Sequence, residues 1–208
     1  MNSSTHKKTV LVIKSSPKGE TSTSNEVADF FTQQLLNQQE TCEIIIRDLS
    51  KTPAPLLDGP TQEAFYIADE ELTKTQRALV APSIAMIEEL KGADIVVLAS
   101  PMHNFSVSSL LKAYIDQVCR FGLTFQYGLN GPEGLLQGKK AIIVSSAGMD
   151  FQAEAAKKMD FQTPYLKHIL SFMGFKDINV VPVQGVDRSD ANPKNIIASA
   201  KSTMEALV

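Results

Sequence analysis

Cysteine is scarce: Cys42 and Cys119 are the only two in 208 residues. They stand at no metal-ligand spacing, which excludes a zinc site or a disulfide framework and reads as a pair of reduced thiols. Long hydrophobic runs are missing as well. None approaches the roughly 18 residues of a membrane span, and the polar residues 1–8 lead into the first apolar run without the core of a signal peptide. A cytoplasmic protein is the expectation, which leaves the glycosylation-acceptor pattern Asn104-Phe105-Ser106 without consequence. There is no basic excess, with 20 Lys and Arg against 23 Asp and Glu and a formal net charge of −3. Broad binding to nucleic acid or to anionic membranes needs clustered cations and is therefore excluded. Any phosphate would have to be held by neutral donors.

Three phosphate signatures are also absent. Residues 134–139, Gly-Leu-Leu-Gln-Gly-Lys, fall one residue short of a Walker A loop, lack its Ser or Thr, and precede a strand where that loop follows one. No Gly-x-Gly-x-x-Gly follows the first strand, against a Rossmann dinucleotide site. A small tyrosine phosphatase would need a Cys after that strand, and the loop has none. Repeats, low-complexity tracts and linkers are missing too, and the length suits one domain, residues 1–208.

What is present is an alternation of hydrophobic runs and helical patterns. Residues 9–13 (TVLVI), 44–46, 95–99, 141–144 and 178–183 read as strands buried on both faces. Residues 26–36 place Val27, Phe30, Phe31 and Leu35 at helical spacing, with Ser24 as N-cap. Helices are also predicted over 77–90, 107–121, 163–173 and 194–207. Such alternation predicts an α/β fold, a doubly wound five-stranded parallel sheet with helices on both faces. Two long connections interrupt it. Residues 49–74 read as a lid or a subunit-contact loop, and 121–138, rich in Gly and aromatics, as a small hairpin excursion.

Three polar loops, 15–24, 100–106 and 145–149, each sit where a strand ends. In an open parallel sheet, ligands bind beyond the carboxyl ends of the strands where strand order reverses. One small phosphate-bearing ligand touched by all three loops is the expectation. The first loop, KSSPKGETSTS, offers hydroxyls and free N–H groups at a helix start, a neutral phosphate cradle, although a turn with an ordinary Ser cap reads the same way. The second, Pro101-Met102-His103-Asn104-Phe105-Ser106, mixes apolar surface with an amide and suits a flat heteroaromatic ring. The third, Ser145-Ser146-Ala147-Gly148-Met149, is small enough to bring backbone amides against a ligand edge. His6 reads as a solvated residue and His168 as a structural one on a helix.

Lys-Ser-Ser with Ser22-Thr23-Ser24-Asn25, Pro-Met-His-Asn-Phe, Leu-Lys-x-Tyr-x-Asp at 111–116, Gly-x-Thr-Phe-x-Tyr at 122–127 and Asn-Gly-Pro-Glu-Gly at 130–134 together resemble the FMN-dependent NADH azoreductases, flavodoxin-like quinone and azo-dye reductases. The likeness spans nearly the whole chain. It implies a flavodoxin-like fold and an FMN held by Ser16, Ser22, Thr23 and Ser24 at its ribityl-phosphate. Pro101, Met102, His103, Asn104 and Phe105 would meet the ring, and Ser146, Ala147, Gly148 and Met149 its pyrimidine edge. Relatives commonly have Tyr at position 103 and a second Gly at 149, so Met149 is expected to strain Gly-type geometry.

The resemblance further implies a homodimer and a ping-pong cycle in which NADH or NADPH reduces the flavin before a quinone or azo compound takes the same face. Phe125, Tyr127, Phe151 and Phe161 are the candidate walls of the substrate pocket, with Phe121 and the first two reaching a partner's flavin. His103 is a candidate proton donor to the acceptor, and no protein nucleophile is required. The competing readings are an FMN electron carrier or redox-sensing module without turnover, and a nucleotide-binding α/β protein without flavin. Carriers tend to be monomeric and strongly acidic, which the weak charge and long loops here disfavour.

Overall fold

The computed structural model describes residues 7–38 and 42–208; His6 lies outside the described residues. Five parallel strands form the central sheet: β1 (Lys8–Lys14), β2 (Cys42–Asp48), β3 (Ile95–Pro101), β6 (Lys140–Ala147) and β7 (Asp177–Gln184). Their spatial order is β2-β1-β3-β6-β7, so the chain reverses its direction of travel across the sheet between β1 and β3. This is the flavodoxin-like order, with its switch point at that gap. The short antiparallel strands β4 (Phe125–Gly128) and β5 (Gly131–Gly134) make the expected hairpin excursion.

Alternation along each strand divides the core in two. Leu11, Ile13, Val96, Leu98 and Ile143 point to one face, where they meet Ile87 of α3 (Lys74–Gly92), Leu111 of α4 (Ser109–Val118) and, beyond the single-turn α5 (Glu154–Lys157), Leu166 of α6 (Thr163–Met173). Val10, Val12, Val97, Ile142 and Val144 point to the other, against Val27 and Phe31 of α1 (Thr23–Asn37) and Ala200 and Met204 of α7 (Pro193–Glu205). Coverage on both faces is why β1, β3 and β6 are unbroken apolar runs. β2 departs from the expected two-sided burial: it is an edge strand, and Ile46 stands 55% exposed. No helix among the described residues is long and apolar enough to cross a membrane.

The long connection after β2 is structured. Asp58 Oδ1 accepts the Thr61 N–H at 2.9 Å and caps a short α2 (Gly59–Ala64), and a capping box of Thr73 and Gln76 opens α3 three residues before the predicted start. Gln117 Nε2 donates to Pro55 O at 3.0 Å, and the buried Arg120 guanidinium lies 3.9 Å over the Phe65 ring while donating to Ser83 Oγ at 3.1 Å. That burial pushes the Arg120 pKa down. The segment is therefore fastened to α3 and α4. It leaves Leu56 and Tyr66 exposed, which fits a subunit contact.

Candidate functional site

Beyond β1, Ser15 Oγ donates to Ala99 O at 2.7 Å and Ser108 Oγ donates to Ser15 O at 2.8 Å, which ties the first loop to the end of β3. Ser16 is buried, its Oγ accepting the Lys18 N–H at 3.3 Å. A tight turn over Gly19–Thr21 then delivers Ser22, in extended geometry, as the N-cap of α1. The cap falls at Ser22, not at the predicted Ser24, because the Glu26 N–H donates to Ser22 O at 3.0 Å and closes the first helical turn there. Neither serine side chain caps the helix: the two hydroxyls share one hydrogen bond of 3.0 Å. The N–H groups of Thr23, Ser24 and Asn25 consequently have no acceptor within the helix. They stand at the positive end of a 15-residue helix, an anion site built on backbone amides.

The second loop is pinned to the third by Met102 N–H donating to Ser146 O at 2.7 Å. His103 and Ser106 exchange backbone hydrogen bonds of 2.8 and 2.9 Å, closing a two-residue turn. Its central residues, Asn104 at φ 48° and Phe105 at φ 67°, are the sole left-handed non-glycine residues among those described. Positive φ at both positions is type I′ geometry; Asn tolerates it, and Phe adopts it at a cost of about 1–3 kcal/mol. Held this way, Phe105 stays 46% exposed and meets the buried Phe151 edge to face, with ring centroids 6.3 Å apart.

The third loop is braced from two sides. Gln162, fully buried, donates through Nε2 to Ser100 O and Oγ, both at 2.9 Å, and accepts from Ser145 Oγ at 2.9 Å. It thus joins two residues that face each other across β3 and β6. From the other side, the Gly185 N–H donates to Ala147 O and Met149 O, both at 3.0 Å, and the Asp187 N–H donates to Gly148 O at 3.1 Å. Gly148 allows a close approach there, since a Cβ on it would run into the Asp187 carboxylate. Met149 is not left-handed, and the strain expected from its replacing a glycine is absent.

Two adjoining cavities result. The inner one, about 150 Å³, is lined by Ser16, Lys18, Thr21, Ser22, Thr23, Pro101, Met102, His103, Ser146, Ala147, Gly148, Val186 and Asp187. The outer one, about 290 Å³, is lined by Met102, Asn104, Phe105, Ala147, Gly148, Met149 and Phe151. Met102, Ala147 and Gly148 belong to both, so an anion cradle runs continuously into an aromatic shelf. All three predicted loops converge here.

Some predicted residues stand elsewhere. Ser24 is buried and lines neither cavity, its hydroxyl being turned to Ser22. His103 lines the inner cavity and not the shelf. Phe161 is exposed and lines neither, although its N–H donates to Phe105 O at 3.0 Å and steadies the turn. Phe125 and Tyr127 are held off in the hairpin, where Phe125 packs on Phe172 at 4.6 Å and Tyr127 on Phe121 at 5.9 Å. No residue of 49–74 lines either cavity. Lys18 and Thr21 line the cavity from within the first predicted loop without having been singled out there, whereas Val186 and Asp187 lie outside all three loops. The last two follow the fifth strand, and the rule about carboxyl ends would have found them.

A larger cavity, about 710 Å³, lies between β7 and α7. Size does not make it the better anion site. The N-terminus of α7 is already satisfied by Asn192, whose side chain accepts the N–H groups of Lys194 and Asn195 at 3.1 and 3.4 Å, whereas that of α1 is open.

Comparison with known proteins agrees with this geometry. The model of a family described as having a flavodoxin-like fold matches residues 8–208. The FMN-dependent NADH:quinone oxidoreductase of Hydrogenovibrio crunogenus is 42% identical over 197 residues, 95% of this chain and 98% of that protein. The protein of that name from Escherichia coli K12 is 39% identical over 199 residues, 96% and 98% of the two chains. Among solved structures, an FMN-dependent NADH-azoreductase from Bacillus anthracis in complex with FMN superimposes with a TM-score of 0.86 at 24% identity, covering 96% of this chain and 97% of that one. With its strand order, its uncapped helix beside an aromatic shelf, and relatives this similar along nearly the full length, the chain belongs to the flavodoxin-like family of FMN-dependent NADH:quinone oxidoreductases.

Proposed function

We propose that the protein is an FMN-dependent reductase that moves two electrons from NADH or NADPH to quinones, and to azo compounds, by a ping-pong cycle. One observation carries the reading. The unsatisfied N-terminus of α1 opens into the same space as a shelf of Phe105, Met102 and Met149, and a phosphate joined to a flat ring is the ligand that needs both. Neutral amides and hydroxyls suit a phosphate in a chain with net charge −3. Relatives named for FMN, NADH and quinone supply the activity.

FMN, when bound, supplies the hydride-transfer chemistry. The chain's own residues bind and orient. The amides of Thr23, Ser24 and Asn25 with the hydroxyls of Ser16, Ser22 and Thr23 hold the phosphate end. Pro101, Met102, His103, Asn104 and Phe105 would take the ring and Ser146, Ala147, Gly148 and Met149 its polar edge, where the Ala147 and Gly148 amides would stabilise negative charge. Phe105 and Phe151 wall the outer cavity. His103 is a binding residue in this scheme, since its place is in the inner cavity.

The same reading makes residues 1–208 a single FMN-binding domain in a cytoplasmic homodimer, with Phe121, Phe125 and Tyr127 of each hairpin offered to the partner's site. The visible spectrum of purified protein incubated with FMN tests the proposal. A retained flavin band that bleaches with NADH and returns with a quinone is expected. A flavin that NADH leaves oxidised would make the protein a carrier or sensor, and no retained flavin would end the reading altogether.

A further inference from the structure

We infer that Asp187 sets the reduction potential of the bound flavin, lowering it so that the enzyme serves acceptors that are harder to reduce; the inference rests on the FMN reading above. Its basis is the position and isolation of one carboxylate. Asp187 lines the inner cavity with its side chain against the Cα of Gly148, in the turn whose amides meet the ring edge. Its backbone N–H, donating to Gly148 O, fixes it there.

Among the described residues no cation pairs with Asp187. The adjacent Arg188 turns away, to Asp150 at 3.6 Å and Asp190 at 2.6 Å. Among the described residues Lys18 is the only Lys or Arg lining the same cavity, and it stands in the first loop.

The consequence follows from charge balance. A hydride carries two electrons and one proton, so its transfer from a dihydronicotinamide leaves the donor a cation and adds one negative charge to the bound FMN. That charge would arise at the ring edge met by the Gly148 turn, and the Asp187 carboxylate packs on that glycine. Like charges repel, so the carboxylate weakens binding of reduced FMN relative to oxidised FMN. Differential binding of the two forms is a potential shift, and for a two-electron couple a tenfold ratio corresponds to about 30 mV. Asp187 is exposed, so solvent moderates the repulsion, and a ratio of about tenfold is the expected size.

The test compares wild-type and Asp187→Asn holoenzyme by equilibrium titration of the midpoint potential against reference dyes, with the Kd of oxidised FMN measured on the apoproteins. The expected result is a potential about 30 mV higher in the variant, with reduced FMN gaining about tenfold more affinity than oxidised FMN. Asn keeps the size and polarity of the side chain, so packing of the turn is retained. An unchanged potential overturns the inference, and so does a comparable loss of both flavin forms, which would make Asp187 a prop for the turn. Wild-type apoprotein that takes up no FMN would refute the flavin reading itself and this inference with it, before any variant is compared.

Discussion

At the scale of single residues, the site is made by side chains and amides that the surrounding fold holds in otherwise unfavourable states. Phe105 accepts a left-handed backbone in order to present its ring on the shelf. Phe105→Gly removes that strain and also the ring. The variant is expected to match or exceed the wild type in thermal stability, by up to about 1 kcal/mol, while turnover with quinone falls severalfold; thermal denaturation and steady-state kinetics check the two halves. Gly148 makes the opposite case. Gly148→Ala drives a methyl into the Asp187 carboxylate and should weaken FMN binding by about tenfold, or 1.4 kcal/mol, as read by fluorescence titration of the apoprotein. Adding Asp187→Ala should restore most of that affinity. Had the loss come from the flexibility of glycine and not from the collision, the double variant would bind as poorly as the single one. These residues were unequally legible. Gly148 and the Ser22 to Ser24 hydroxyls stand inside motifs, whereas the strain at Phe105 depends on a turn closed by His103 and Ser106, which no local propensity reveals. Asp187 carries no motif at all.

At the scale of elements, hydrophobic alternation made the five strands and the main helices readable because burial on both faces leaves an unbroken apolar run. It failed where capping decides. α1 begins at a serine whose hydroxyl does not cap it, and residue preference alone pointed two positions too far. It also passed over α2, whose start rests on one carboxylate, Asp58. Gln162 belongs to this scale, since its buried amide locks the ends of β3 and β6 together through Ser100 and Ser145. Gln162→Leu keeps the approximate volume and leaves the Ser100 and Ser145 groups without that partner. Each unsatisfied buried group costs about 1–3 kcal/mol, so unfolding in urea should show a loss of about 2–4 kcal/mol. The Phe161 N–H that steadies Phe105 is adjacent in sequence, and a rise in KM for quinone should accompany the loss. A stability change below about 0.5 kcal/mol would mean that the strand ends hold their register without the amide.

At the scale of the whole molecule, the outer cavity is open on one side: among the described residues Phe105 and Met149 stand half exposed. The β4–β5 hairpin has the complementary property. Phe121 and Tyr127 stack at 5.9 Å, Tyr127 is 69% exposed, and Leu129 at the turn is fully so. Rings held against one another yet offered to solvent gain most by burial in a partner. A half-open shelf and an exposed aromatic surface on one chain are what the proposed two-fold dimer, in which each hairpin would serve the other copy, requires. Replacing Phe121 and Tyr127 together by Glu puts two charges into that contact. Sedimentation velocity should then show monomers where the wild type sediments as a dimer. FMN content should hold, because the phosphate cradle lies within one chain, while turnover falls by about tenfold or more for want of the partner's rings. If the double variant stays dimeric and fully active, the hairpin is a surface feature and the roof of the site comes from another part of the fold.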